Sequence, residues 1–328
     1  MSSFALPRLV PCLVVTLGAV ALAACGSSSQ RTVYDDTTNP NGAAPTGDGG
    51  PTGTFDPGAD TGAPPSGKGC EKMDIVFVID DSGSMGEEQA NLATNFPKFV
   101  SVLDATTSGT GKPLDYRVAV TTTGKSYSLV VLGIPTPPEK GDDGKFRNNC
   151  GGPKRWLERG EAGNFFPCRA KVGTSGPSEE MPLEAMRLGL DDRMKDGTNA
   201  GFLRDDALLA VVFLTDEDDC SFKANQLNEG FGDLCEGPGA ERPESYVTFL
   251  DGLKGDRARW ATAVIAGKTQ CQSSFGAAAE AKRLGTFVST AGKNAVFSSI
   301  CDGDLSLALK DALDKFGEAC KSFPPPTR

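Results

Sequence analysis

The stretch MDIVFVIDDSGSMGEEQ, Met73 to Gln89, decides how this chain is read. Its first half holds five consecutive apolar residues, Ile75 to Ile79, the pattern of a strand buried on both faces. Its second half leaves that strand through two carboxylates, Asp80 and Asp81, and then two hydroxyls, Ser82 and Ser84, with Gly83 between them. Parallel sheets bind ligands outside the carboxyl ends of their strands. Oxygen atoms gathered at the mouth of a buried strand therefore point to a site.

Working outward, apolar runs alternate with amphipathic segments from Cys70 onward. The pattern predicts an α/β fold with a doubly wound, mostly parallel sheet flanked by helices. Asp74–Ile79 is the first strand. A helix follows with Leu92, Phe96, Phe99, Val100 and Leu103 on one face, kinked at Pro97. Asp115–Thr123 reads as a second strand, and Ser128–Ile134 as a strand that pairs back with it in a hairpin. Residues 136–173 and 217–245 read as long loops. SEEMPLEAMRLGL (Ser178–Leu190) reads as a helix, and Ala207–Leu214, the most apolar strand, belongs at the sheet centre. RWATAVIAG and NAVFSSI add two strands. The last helix carries Leu305, Leu309, Ala312, Leu313, Phe316 and Cys320 as one apolar stripe facing the core.

The central strand ends as the first one does, with Thr215 and Asp216 just past Leu214. If the two strands are neighbours, Asp216 sits beside Ser82 and Ser84, and carboxylates and hydroxyls converge with no basic residue close in sequence. Anions held together call for a cation, and hard oxygen donors select Mg²⁺, Mn²⁺ or Ca²⁺. These residues resemble the von Willebrand factor A-type domain with its metal-ion-dependent adhesion site. Asp80, Ser82 and Ser84 match the family's Asp-x-Ser-x-Ser element after the first strand, and Asp216 matches its later aspartate. The resemblance covers roughly residues 72–320. It implies a third hydroxyl ligand from VGTSGPSEEM (Val172–Met181), where Thr174 is the best residue-type match and Ser178 is the other candidate. It also implies Mg²⁺ above Mn²⁺ or Ca²⁺, and a partner protein or extracellular-matrix ligand that presents an Asp or Glu to the metal. In the family the direct ligands are largely neutral hydroxyls, which leaves the ion short of negative charge and open to an outside carboxylate. Each motif alone is weak, since Asp-Ser-Gly-Ser is also an ordinary turn.

The N-terminus sets the compartment. Leu9–Ala24 is an apolar run of 16 residues, short of the roughly 20 that cross a bilayer, which favours a cleaved export signal. The small residues before Cys25 resemble the lipobox of bacterial lipoproteins, which implies lipidation at Cys25 and attachment to a bacterial membrane, the outer membrane or cell surface. The expected organisation is a signal at 1–24, a lipidated Gly/Pro/Thr/Asp tether at 25–69, the domain at 70–320 and a tail at 321–328. A flexible tether of that length spans roughly 35–40 Å. Eight cysteines remain in the exported part, an even number that reads as four disulfides. Eight cysteines pair in 105 ways. Topology suggests Cys150–Cys168 and Cys220–Cys235 as staples of the two long loops, with Cys271 and Cys301 each following a strand at one sheet edge. Cys70 and Cys320 bracket the domain.

The chain has no histidine, so neither a Ser-His-Asp nor a Cys-His catalytic unit can be built. After loss of residues 1–24 it carries 32 basic and 43 acidic residues, a net charge near −11 that repels phosphate backbones and excludes nucleic acid. AGKTQ (Ala266–Gln270) resembles the end of a phosphate-binding loop, but Thr262 stands where that pattern needs glycine. Glu217, Asp218 and Asp219 read as a solvated acidic loop rather than a second calcium site. The expectation is a non-enzymatic binding module. Its rivals are a structural module with a vestigial or stabilising metal site, and a Mg²⁺-dependent hydrolase, against which stands the lack of any Lys/Arg phosphate clamp.

Overall fold

A computed structural model describes residues 69–324, apart from 109, 229–233, 274–275 and 304. The expected signal, Cys25, nearly all of the tether and the last four residues of the tail lie outside the described residues. The chain runs β1 (Lys72–Ile79), α1 (Gly86–Ala105), β2 (Asp115–Thr122), β3 (Ser128–Val131), β4 (Ile134–Pro135), β5 (Trp156–Glu158), α2 (Ala162–Arg169), α3 (Pro182–Leu190) and α4 (Asp192–Lys195). It continues through β6 (Leu208–Leu214), β7 (Gln226–Asn228), α5 (Pro243–Lys254), β8 (Trp260–Ala266), β9 (Cys271–Ser273), β10 (Gly276–Ala278), α6 (Lys282–Ala291), β11 (Ala295–Ser299) and α7 (Ser306–Lys321).

Six strands form the main sheet in the order β11-β8-β6-β1-β2-β5. All pairs are parallel except β2 with β5. Alternate residues of each strand feed two cores, as the two-residue period of a strand requires. Ile75, Phe77 and Ile79 face α1, α2 and α7, whose Phe96, Phe99, Phe166, Leu309 and Phe316 complete one core. Val76 and Val78 face the other, closed by Leu183, Met186, Tyr246, Leu250, Leu284 and Phe287 of α3, α5 and α6. A sheet covered on both faces explains why β1, β6 and β8 are apolar without alternation. The fold class is the one the sequence predicts. The α7 stripe is core: Leu305, Leu309, Ala312, Leu313 and Phe316 are all buried.

Two expectations need correction. Ser128–Val131 does not pair with β2. It pairs antiparallel with β4 and parallel with β7, forming a separate three-stranded sheet. The free edge of β2 is instead taken by Trp156–Glu158, with Val118 opposite Leu157, while Leu129 and Leu227 find their own small core around Tyr127, Met181, Cys220 and Phe222. The loop 136–173 therefore contains β5 and α2 rather than running without structure. Pro97, where the sequence predicts a kink, lies inside α1, which runs on to Ala105.

The disulfides join Cys70–Cys320, Cys150–Cys168, Cys220–Cys235 and Cys271–Cys301, the pairing that topology suggested. The first ties the start of β1 to the end of α7, where the Cys70 amide also donates to the Cys320 carbonyl at 2.9 Å. It spans 250 residues, against 15 for Cys220–Cys235. Removing the longer bridge with Cys70→Ser/Cys320→Ser should cost about 2.5 kcal/mol more than Cys220→Ser/Cys235→Ser, because loop-closure entropy grows with the logarithm of length. Urea melts of the two double variants measure it, and equal losses would contradict the loop-length account.

Candidate functional site

Parallel pairing of β1 with β6 sets Ile79 opposite Leu214, so the residues that follow leave the sheet at the same level. The Asp80 amide donates to the Leu214 carbonyl at 2.9 Å, closing the two strand tips onto each other. Asp80 is fully buried. Its Oδ1 accepts the Ser82 amide at 2.7 Å and its Oδ2 accepts the Thr215 hydroxyl at 2.6 Å. The Ser82 and Ser84 hydroxyls lie 3.1 Å apart, and Ser84 and Asp216 line the same cleft. The structure thus brings Asp80, Ser82, Ser84 and Asp216 together, with Ser82 half-buried and Ser84 exposed at the mouth.

A third segment closes on this group. Gln89, one turn into α1, donates from Nε2 to the carbonyls of Asp80 (2.8 Å) and Gly173 (2.7 Å), and its Oε1 accepts the Gly173 amide at 3.2 Å. The Gly176 amide donates to the Asp81 carbonyl at 2.8 Å, so closely that a Cβ on residue 176 would lie 2.5 Å from the Asp81 Cγ. Only glycine fits there. Thr174 sits exposed between these two attachments, its methyl 3.7 Å from where a Cβ on Gly86 would lie. Ser178 is engaged elsewhere: its amide and hydroxyl donate to Glu139 (2.7 and 2.9 Å), and its hydroxyl lies 3.2 Å from that of Tyr127.

Further acids surround Asp80 that sequence reading did not assign. Glu180, just before α3, is buried and accepts the Thr123 hydroxyl through Oε2. Glu88, in the first turn of α1, is also buried. The buried oxygens Asp81 Oδ1, Glu88 Oε2, Glu180 Oε1 and Asp216 Oδ1 accept no hydrogen bond. Among the described residues, no ion pair from a lysine or arginine reaches Asp80, Asp81, Glu88, Glu180 or Asp216. Unsatisfied buried acceptors are rare and costly, and four grouped around one aspartate are carboxylates short of a cation. Hydroxyl and carboxylate oxygens are the donor set of a hard divalent ion. The arrangement is not a cage of converging carboxylates. Among the described residues, the one set of three acidic or thiol donors within 4.8 Å is Glu179 with Cys220 and Cys235, which are themselves bridged.

The electrostatics agree. Burial pushes the Asp80 and Asp216 carboxyls up. Burial, with Asp142 and Asp80 nearby, raises Asp81 to about 6. Burial and then the charge of Asp216 raise Glu88 to about 7, and burial with Asp80 and Asp216 does the same for Glu217. Glu180 goes furthest, to about 10, through burial and the charge of Asp80.

The acids after Asp216 divide their work. Asp219 is fully buried, where it accepts the Ser221 hydroxyl at 2.5 Å and pairs with Arg283 at 3.3 Å. Asp218 accepts the amides of Arg283 and Leu284 at the start of α6. Only Glu217 of the three is exposed, so the solvated acidic loop expected there is corrected: two of its acids build structure. From Ser84 and Asp216 a cleft of about 770 Å³ runs past Glu217 to Glu236 and Glu280.

No family model matches the chain, and no curated protein matches it. Solved structures do. Proximal thread matrix protein 1 from the mussel byssus aligns with TM-score 0.39 and 15% identity over 76% of this chain and 49% of its own. The same protein described with a zinc-occupied MIDAS motif gives 0.36 and 17% over 76% and 46%. The pilus adhesin SpaC from Lactobacillus rhamnosus GG, in an open conformation, gives 0.37 and 14% over 77% and 30%. The chain spans less than half the length of each. Likenesses this distant carry no statement about what this chain binds, which has to be argued from its own residues.

Two outcomes follow from the geometry. Gly176→Ala should destabilise the domain by about 1–3 kcal/mol, since the added methyl must displace the Asp81 carboxyl or the loop; an unchanged urea midpoint would contradict the close approach. In EDTA, the raised carboxyls hold their protons more tightly folded than unfolded. Their stabilising contribution is fully present below the unfolded values and is lost as pH rises through about 6 for Asp81, about 7 for Glu88 and about 10 for Glu180, the three that are buried. Urea melts in EDTA should show higher stability at pH 5 than at pH 8, and the reverse order would contradict the burial of these acids.

Proposed function

We propose that this chain is an exported binding module of the von Willebrand factor A type. In this reading Asp80, Ser82, Ser84 and Asp216, with Thr174 as the third hydroxyl, hold a divalent cation, Mg²⁺ before Mn²⁺ or Ca²⁺. One observation carries it: Asp81, Glu88, Glu180 and Asp216, all close enough to feel the charge of Asp80, each keep a buried carboxylate oxygen that accepts no hydrogen bond, beside the half-buried Ser82 and exposed Ser84 hydroxyls. A bound cation would supply an electrophilic position that a carboxylate from outside can occupy. The chain's own part is to hold the donors ready. Asp80 is fixed by the Ser82 amide and Thr215 hydroxyl, which prevents its rotation toward solvent. Gln89 keeps the Thr174 loop over the two strand tips. Ser82 and Ser84, neutral and at the mouth, are the donors whose lack of charge leaves a bound ion attractive to an acid.

The partner is then a protein or matrix ligand presenting Asp or Glu, with no enzymatic step. The acidic surface agrees, since an acidic ligand would be repelled unless a cation intervened. Lipidation at Cys25, with the tether to residue 69 and the domain at 70–320, would hold the module at a bacterial membrane. Four disulfides suit an oxidising compartment, and no helix among the described residues is long and apolar enough to cross a membrane. The proton held by Glu180 favours a second reading, in which the acids neutralise one another and the site only stabilises the fold.

Calorimetric titration of Mg²⁺ or Mn²⁺ separates the two. The wild type should give saturable heat that Asp80→Ala abolishes, and the metal-loaded protein should retain an Asp-containing ligand that EDTA releases. Equal heat from both proteins, or none from either, removes the site. Metal-dependent melting without metal-dependent ligand retention leaves only the stabilising role.

A further inference from the structure

The small sheet β4-β3-β7 ends in a hairpin whose tip is apolar. Leu132 is 93% exposed, Ile134 70% and Val131 37%. Among the described residues one other large apolar side chain stands exposed, Leu307 on α7. No charged residue lies between Lys125 and Glu139, although 23% of the chain is charged.

The turn itself argues against this being incidental. Leu132 and Gly133 both have positive φ, 51° and 81°, the requirement of the two-residue turn that joins twisted strands. That turn prefers Asn-Gly or Asp-Gly, because the left-handed conformation is unfavourable for a residue with a bulky side chain. A polar residue at 132 would relieve the backbone and also remove an exposed leucine from water. The chain carries leucine at the one position where both turn chemistry and solubility favour asparagine. The tip is also held firmly: the Thr136 amide donates to the Leu129 carbonyl at 2.7 Å, and the Leu129 amide to the Thr136 hydroxyl at 3.0 Å. Below it, Leu129 and Leu227 anchor the hairpin in the core stapled by Cys220–Cys235.

We infer that this hairpin is a membrane-contacting element that places Leu132, flanked by Val131 and Ile134, into a lipid surface of neutral headgroups. A convex apolar knob needs either a matching pocket or a medium that deforms around it, and a bilayer is such a medium. The absence of charge from the whole hairpin means that insertion desolvates no ion. Net negative charge excludes an electrostatic attraction to anionic lipid and leaves apolar burial as the driving force. The tether proposed between Cys25 and residue 69 would keep the domain within roughly 35–40 Å of a bilayer. The inference does not depend on the metal site.

The test uses the chain from residue 26 onward, which keeps every described residue, in EDTA with phosphatidylcholine vesicles. The wild type should float with the vesicles, and Leu132→Ser/Ile134→Ser, with an unchanged thermal melt, should lose at least about tenfold in partition. Leu132→Trp should shift its emission to the blue on adding vesicles. Equal flotation of wild type and double variant, flotation of neither, or binding that needs phosphatidylglycerol overturns the inference. So does an unshifted tryptophan. Leu132-dependent retention on an immobilised protein without vesicle binding would assign the tip to a protein partner and overturn it as well.

Discussion

The in-register parallel pairing of β1 with β6 is the constraint on which the rest depends. Because Ile79 lies opposite Leu214 and the Asp80 amide is bonded to the Leu214 carbonyl, Asp80 and Asp216 have to emerge together. A sheet covered on both faces then buries both. Charged carboxylates in such a place are costly unless paired, and among the described residues no lysine or arginine pairs with them. Proton uptake can lower the cost, as at Glu180, and so can a cation. The two solutions differ in what they leave at the mouth. A proton leaves Ser82 and Ser84 as ordinary turn hydroxyls, whereas a cation gives them a role as ligands.

The scaffold supplies rigidity at this end through contacts that allow no intervening atoms. Gly176 lies against Asp81, and Gly141 lies against Gly124, where a Cβ would fall 2.2 Å from the neighbouring carbonyl carbon. Gln89 ties α1, the tip of β1 and the Thr174 loop with three hydrogen bonds. The loop stapled by Cys220–Cys235 carries β7 of the small sheet and lines the cleft beside Asp216, whereas the loop stapled by Cys150–Cys168 supplies β5 to the edge of the main sheet and Leu157 and Phe166 to its core. Loops on a rigid scaffold commonly carry recognition. A division follows in which the strand tips hold charge and the loop stapled by Cys220–Cys235 borders what can approach.

Much of this was legible in the sequence because local signals and topology agreed. Unbroken apolar runs at Ile75–Ile79 and Ala207–Leu214 identify buried parallel strands, and residues just past such strands fall on one end of the sheet without further information. That reasoning reached Asp80, Ser82, Ser84 and Asp216 and the pairing of all eight cysteines. It failed where partners are chosen in three dimensions. Ser128–Val131 has the composition of a hairpin partner for β2, but Trp156–Glu158 competes for that edge and wins. Glu88 lies in the first turn of α1 and Glu180 just before α3, places where acids are ordinary, and nothing local shows that these two are buried. Ser178 is the alternative to Thr174 that the sequence leaves open, and no local signal shows that Glu139, 39 residues away, holds it.

The central claim is that the paired strand tips hold a hard divalent ion through neutral hydroxyls. Diffraction from crystals soaked in Mn²⁺, with data collected for the anomalous signal of manganese, tests it most directly. The account predicts one strong peak bonded to the Ser82 and Ser84 hydroxyls and reached by Asp80 and Asp216 directly or through water, with the Thr174 hydroxyl turned toward it. A map without a peak there, or with manganese bound only along the Glu217–Glu236 cleft, would contradict it.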